Sequence, residues 1–185
     1  MRIISGTLKG KPIAFVKSAI TRPLKDSVKE NIFNIIAHSN LLDINLNKSN
    51  ILDLYSGVGS FGLECVSRGS DKVIFVERNK NAAEILNTNL LTLSIKDKAE
   101  VMNEKIIDFL NRKQLKKFNV FFLDPPFADN SFLEDLKLIK QKKIYKKKHI
   151  IIIHREKKSF DNFENILKPI IIKQYGRSKI IFGKF

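Results

Sequence analysis

The chain has 185 residues, 43% of them hydrophobic, enough apolar material for one sizeable core and too little length for a string of separate domains. Its 34 Lys and Arg against 19 Asp and Glu give a formal net charge of +15, so a polyanion is the natural partner, with a lysine-rich composition bias as the plain alternative. A single cysteine, Cys65, excludes an intramolecular disulfide framework and a cysteine-built zinc site, and no apolar run is long enough for a membrane span; the expectation is a soluble, cytoplasmic, monomeric protein with no membrane partner.

Along the chain, Arg2 to Phe15 carries two short apolar runs, Ile3-Ile4 and Ile13-Ala14-Phe15, on either side of Gly6 to Lys11, a pattern that predicts a hairpin. From Leu24 to His38, the positions Val28, Ile32, Phe33, Ile35 and Ile36 repeat near the helical period, and Pro23 suits the opening of that helix. Leu41 to Asn50 is polar and Asn-rich. It reads as a linker, so residues 1–40 are a hairpin-helix extension and residues 41–185 the main domain. Strands are expected at Asn50 to Leu54, Lys72 to Val76, Glu100 to Met102, Val120 to Leu123 and His149 to Ile153. Helices fall near Ser60 to Arg68, Lys80 to Leu93, Glu104 to Arg112 and Phe132 to Lys142. Two last runs, Ile170 to Lys173 and Ile180 to Phe182, flank Tyr175-Gly176-Arg177-Ser178 with the spacing of an antiparallel hairpin. This alternation predicts an α/β fold with a doubly wound, mostly parallel sheet. The lysine clusters at Lys140 to Lys148 and Lys157-Lys158 read as solvated loops and helix faces.

One segment couples a strand to a glycine turn and a helix: Ile51-Leu52-Asp53-Leu54-Tyr55-Ser56, then Gly57-x-Gly59-x-x-Gly62. Such glycines permit a tight turn and let a ligand touch the backbone. Glu77 follows at the end of the next strand, where a carboxylate can accept hydrogen bonds from ribose hydroxyls. The pairing marks a nucleoside site and leaves a nicotinamide dinucleotide and S-adenosylmethionine both open. Asp53, just before the turn, resembles the acidic residue that opens the cofactor loop of class I methyltransferases, where a carboxylate suits the ammonium of S-adenosylmethionine; the plainer reading is a carboxylate that steadies the turn.

After the apolar run Val120 to Leu123 comes Asp124-Pro125-Pro126-Phe127, again expected at the carboxyl edge of the sheet. Two prolines fix an extended path that donates no N–H, so its carbonyls are rigidly aimed. An exocyclic base amine is a poor nucleophile because its lone pair is delocalised into the ring. The Asp124 side chain and the Pro125 carbonyl can hold its two hydrogens and so localise that pair, while Phe127 stacks on the base.

Together the two motifs resemble the N-methyltransferases that carry Asp, Asn or Ser followed by Pro-Pro and an aromatic residue. Arg2-Ile3-Ile4-Ser5-Gly6, Thr21-Arg22-Pro23 and Asp26 to Asn34, continued by Leu52 to Gly57, Gly62-Leu63-Glu64 and Ser67-Arg68-Gly69, narrow this to the RsmD-type ribosomal RNA guanine-N2 methyltransferases. That resemblance implies a Rossmann-like class I fold, S-adenosylmethionine as cofactor, and a guanine of small-subunit (16S) ribosomal RNA, free or in the small ribosomal subunit, as target. It assigns Asp124 to Phe127 to catalysis and base holding, Glu77 to the ribose, Gly57 and Gly59 to the cofactor backbone, and Arg22 and Lys25 to RNA at the site entrance. Leu24, where the family usually has Thr, and Lys105, near the place where relatives offer an acid or amide to the adenine, depart from the pattern. His38, His149 and His154 have neither metal-ligand spacing nor a paired nucleophile and read as structural or surface residues, and Cys65 as core. An adenine-N6 methyltransferase, a catalytically silent RNA-binding assembly factor and a nicotinamide oxidoreductase are the competing readings.

Overall fold

A computed structural model of the chain describes residues 1–15 and 24–185. Pro23 and Arg22 therefore lie outside the described residues. Seven strands form one sheet in the order β3-β2-β1-β4-β5-β7-β6. Strands β1 (Asn50–Leu54), β2 (Lys72–Val76), β3 (Ala99–Met102), β4 (Phe118–Leu123) and β5 (Tyr145–Glu156) run parallel, and β6 (Lys168–Tyr175) and β7 (Ser178–Lys184) form an antiparallel hairpin added beside β5. Helices α1 (Asp26–His38), α2 (Ser60–Ser67), α3 (Lys80–Thr92), α4 (Ile106–Leu110) and α5 (Phe132–Lys142) cover its faces. The doubly wound, mostly parallel sheet with a terminal hairpin is the architecture that the sequence predicts.

Strands buried on both faces need apolar side chains on both, and alternate residues therefore serve different cores. Ile51, Val73, Phe75, Val120, Phe122, Ile150 and Ile152 face one side, packing against α1 and α2. Leu52, Leu54, Phe121, Leu123, Ile151 and Ile153 face the other, packing against α4 and α5. Phe33 of α1, Phe61 of α2 and Phe122 of β4 stack across the first core with ring centroids 5.1 and 4.1 Å apart. Each such ring contributes about 1.5–3 kcal/mol by burial. All eight residues of α2 are buried, because the amino-terminal segment and α1 lie over it.

That amino-terminal segment narrows to a single bridge, Arg2 with Pro12, closed by hydrogen bonds such as Ile3 N–H to the Lys11 carbonyl at 3.0 Å. It docks through charge as well as apolar contact. The buried Glu64 carboxylate accepts the N–H groups of Ile4 (2.7 Å) and Ser5 (2.9 Å) and the Nε–H of Arg68 (2.9 Å), and the buried Lys29 ammonium donates to the Arg2 carbonyl at 2.8 Å. Burial pulls the Lys29 ammonium below the usual lysine range, opposed by the nearby charges of Glu64 and Asp26.

Two expectations need correction. Lys146, Lys147 and Lys148 lie inside β5 rather than in a loop, because this strand reaches back to pair Tyr145 with Phe118 before its apolar run begins. Helix α4 is only five residues long, shorter than the pattern from Glu104 to Arg112 suggests. At one sheet edge, β6 is half exposed and carries Lys168, Pro169 and Lys173. No helix among the described residues is long and apolar enough to cross a membrane.

Candidate active site

From β1 the chain proceeds to β2 and β3 on one side of the sheet, while β4 and β5 lie on the other, so the crevice between β1 and β4 is the switch point where such sheets bind ligands. Leu54 is in register with Leu123, so Tyr55 and Asp124 leave the sheet side by side; the Asp124 N–H reaches the Leu54 carbonyl at 3.4 Å. The glycine loop and the Asp-Pro-Pro-Phe turn thus meet at one place.

In the loop, Gly57 and Gly59 both have left-handed φ values, 55° and 85°. Their surroundings differ. A Cβ on Gly59 would sit 2.4 Å from Leu86 Cδ1, so that glycine serves packing against α3, whereas a Cβ on Gly57 would meet nothing within 4 Å. Gly57 therefore borders open space that a ligand can enter. Glu77 closes the loop from β2: its Oε2 accepts the Gly57 N–H at 2.8 Å, its Oε1 accepts the Asn79 N–H at 2.7 Å, and its carbonyl takes the Asn103 Nδ2–H at 2.8 Å. A half-buried carboxylate so held retains lone pairs for further donors such as ribose hydroxyls.

Asp53 is 1% exposed, and its two oxygens have different fates. Oδ2 accepts the Gly62 N–H at 2.9 Å, anchoring the first turn of α2. Oδ1 is buried with no hydrogen-bond partner among the described residues, and so is Ser56 Oγ nearby in the loop. Burial pushes the Asp53 carboxyl well above the usual carboxylate range; the Gly62 bond pulls it back, and the charges of Asp124 and Glu77 push it further up. Oδ2 thus steadies the turn, as the plainer sequence reading expects, while Oδ1 leaves a buried acceptor that a cationic or hydrogen-donating ligand would suit.

The Asp124 carboxylate is 26% exposed, and its Oδ1 lies 2.8 Å from Nδ1 of His154 on β5. A carboxylate acceptor requires the hydrogen on Nδ1. Phe127 meets the same imidazole edge to face, centroids 5.5 Å apart at 80°. Pro125 is buried and its carbonyl accepts no hydrogen bond from the described residues, while the Pro126 carbonyl takes the Asp129 N–H at 2.8 Å and Nη1–H of Arg155 at 3.3 Å. Arg155, 1% exposed, also donates to the Asp129 carbonyl (2.9 Å), Asn130 Oδ1 (2.8 Å) and Asp161 Oδ1 (2.9 Å), with its guanidinium 4.5 Å over the Phe132 ring. A planar fork with five donors is suited to such a clamp. It locks the chain that follows Asp124 and Pro125.

The structure thus brings together Asp53, Gly57, Glu77, Asp124, Pro125 and Phe127, with Gly59 and Pro126 supporting the backbone between them. Lys25 is exposed at the residue before α1, its carbonyl taking the Lys29 N–H at 2.9 Å, and Arg22 lies outside the described residues. His154 belongs to the site rather than to a structural or surface background, and Arg155 was not singled out by the sequence. The available signal was their position just past the apolar run Ile150 to Ile153, at the carboxyl end of the strand beside β4. His149 by contrast packs between Tyr145 and Phe185, and Cys65 is buried in the core. Two open hollows of about 360 and 270 Å³, lined among others by Asn119 with Lys148 and by Asp71 with Lys116, lie at the opposite edge of the sheet and hold none of these site residues.

Residues 1–184 match the model of the family described as conserved hypothetical protein 95. Ribosomal RNA small subunit methyltransferase D of Haemophilus influenzae is 36% identical over 159 residues, covering 85% of this chain and 79% of that protein. Its namesake in Buchnera aphidicola subsp. Acyrthosiphon pisum is 29% identical over 156 residues, 84% of this chain and 78% of that one. The solved structure of a candidate methylase from Haemophilus influenzae superimposes with a TM-score of 0.79 at 30% identity, covering 98% of this chain and 96% of the other. The fold is accordingly that of a Rossmann-like class I methyltransferase, and the chain belongs to the RsmD-type family.

Proposed function

We propose that this protein transfers the methyl group of S-adenosylmethionine to the exocyclic N2 of a guanine in small-subunit ribosomal RNA. The observation that carries this reading is the Asp124 carboxylate, steadied by His154 at 2.8 Å and set beside the uncommitted Pro125 carbonyl, at the mouth of the Gly57 loop. Two fixed acceptors on adjacent residues match the two hydrogens of a planar amine. By accepting both, they turn the nitrogen lone pair out of conjugation and aim it across the crevice. Phe127 offers its ring to the face of the base, and Arg22 and Lys25 take the role of RNA-phosphate contacts.

S-Adenosylmethionine, when bound, supplies an electrophilic methyl group on a sulfonium. Asp53 Oδ1 and Ser56 Oγ would receive the donors of its amino-acid end, Gly57 would let it approach the backbone, and Glu77 would accept from the ribose hydroxyls. The methylated nitrogen is acidic, and its proton leaves through Asp124.

Asp53 yields a test with opposite signs for stability and binding. Its folded-state pKa is raised by burial, so the stabilisation it gives is present at acid pH and is lost as pH rises through that raised value. Asp53→Asn keeps an acceptor for Gly62 and stays neutral. It should raise the Tm of the ligand-free protein at neutral pH and weaken S-adenosylmethionine binding by about ten- to a hundredfold, measured calorimetrically. Unchanged affinity would confine Asp53 to steadying the turn.

Function itself is tested by methyl transfer from labelled S-adenosylmethionine to unmodified small ribosomal subunits and to their naked RNA, followed by nucleoside mass spectrometry. N2-methylguanine is expected. N6-methyladenine would overturn the target, and cofactor binding without transfer to either substrate would favour a silent RNA-binding protein.

A further inference from the structure

The turn after β5 presents an aromatic ring to solvent. Phe160 is 94% exposed, the most exposed large apolar side chain among the described residues. A ring so placed gives the fold nothing through burial, yet the backbone that carries it is firmly built. The neighbouring Asp161 side chain is 0% exposed, paired with Arg155 at 2.9 Å and with Lys179 Nζ at 3.3 Å. Ser159 bonds inward through its N–H to the Glu156 carbonyl (3.1 Å), through its hydroxyl, 2.7 Å from Asp161 Oδ2 and 2.9 Å from the Glu156 carbonyl, and through its carbonyl, which accepts from Lys179 Nζ. Phe160 therefore stands on a fixed pedestal.

Charge and position say what the ring meets. Lys157 and Lys158 are exposed beside it, and the Lys157 N–H donates to the Arg177 carbonyl at 2.7 Å, which brings exposed Arg177 of the β6–β7 turn to the same place. The exposed acid of the turn is Glu156, so cations prevail. The pedestal shares its clamp with the catalytic turn, since the one Arg155 guanidinium holds both Asp161 and the Pro126 carbonyl. An exposed ring with three cationic residues in its own and the adjoining turn, on a loop tied through Arg155 to the Asp-Pro-Pro-Phe turn, is chemically suited to an unpaired nucleotide, whose base stacks and whose phosphates meet the lysines.

We propose that Phe160 is a stacking platform for an unpaired RNA nucleotide flanking the target base, with Lys157, Lys158 and Arg177 holding its phosphates. This rests on the reading of RNA as substrate. The test compares steady-state methylation of small ribosomal subunits and of naked small-subunit RNA by wild type, Phe160→Ala, Phe160→Leu and Phe160→Trp, with Tm as a control for folding. Loss of one base stack should raise KM for RNA on the order of tenfold in both Phe160→Ala and Phe160→Leu, leave kcat and the KM for S-adenosylmethionine unchanged, and be restored by Phe160→Trp. An unchanged KM in Phe160→Ala overturns the proposal while leaving the functional reading intact. Full rescue by Phe160→Leu also overturns it, making the partner an apolar protein surface of the subunit. Absence of transfer by the wild type to either substrate removes both.

Discussion

Asp124→Ala is expected to slow methyl transfer by about 10²- to 10³-fold at saturating RNA and cofactor, the usual cost of removing one preorganised group that acts in the transition state. The side chain is partly exposed and its carboxylate pairs with His154, so the fold and cofactor affinity should change little. Single-turnover methylation, with calorimetric binding of S-adenosylmethionine as control, separates these effects. His154→Ala probes the same point from behind. It leaves the carboxylate in place but free to rotate, and a misplacement of that order costs up to about 10²-fold. His154→Asn, whose amide N–H can replace the Nδ1–H toward Asp124, should recover most of the rate. Near wild-type transfer by Asp124→Ala would show that backbone carbonyls alone hold the amine, and the mechanism given above would be wrong.

Arg155→Ala is expected to destabilise the protein by about 3–5 kcal/mol, because removing one partner of a buried pair leaves the other charge uncompensated. Lys179 still faces Asp161 at 3.3 Å, which places the effect toward the lower end. The lost bonds to the Pro126 and Asp129 carbonyls and to Asn130 also free the turn that carries the proposed catalytic backbone. Urea denaturation measures the first effect. Methyl transfer per folded molecule measures the second, and should fall in Arg155→Lys as well, since an ammonium cannot span donors aimed at four residues. A loss below about 1 kcal/mol in Arg155→Ala would show that water replaces the guanidinium and that the turn is held elsewhere.

How much could be read in advance follows from what each residue must do alone. Ile51 to Leu54, Lys72 to Val76 and Val120 to Leu123 declare themselves because parallel strands covered on both faces need near-continuous apolar runs, interrupted here only by Asp53 and led in β2 by Lys72. Asp53, the glycines and Asp124 to Phe127 stand out because their chemistry is packed into short segments. His154 and Arg155 offer no such local pattern. Their meaning comes from register: Leu123 lies opposite Ile153, so Asp124, just past β4, and His154 of β5 are forced together although 30 positions separate them. Lys146 to Lys148 mislead for a related reason, since charged residues at the open start of a strand look like a loop until the pairing of Tyr145 with Phe118 is known.

Strand β6 ends the sheet with unpaired backbone groups along its outer side, and a second copy could in principle add there and continue the ladder. Lys168 and Lys173 make such an approach one of like charge against like charge, and Pro169 removes a donor from the rail. Isoleucines 170, 171 and 172 give the same strand a strongly β-forming middle, so this repulsion has something to oppose. The lysines of this strand thus guard the far rim of the sheet against fibrous self-association.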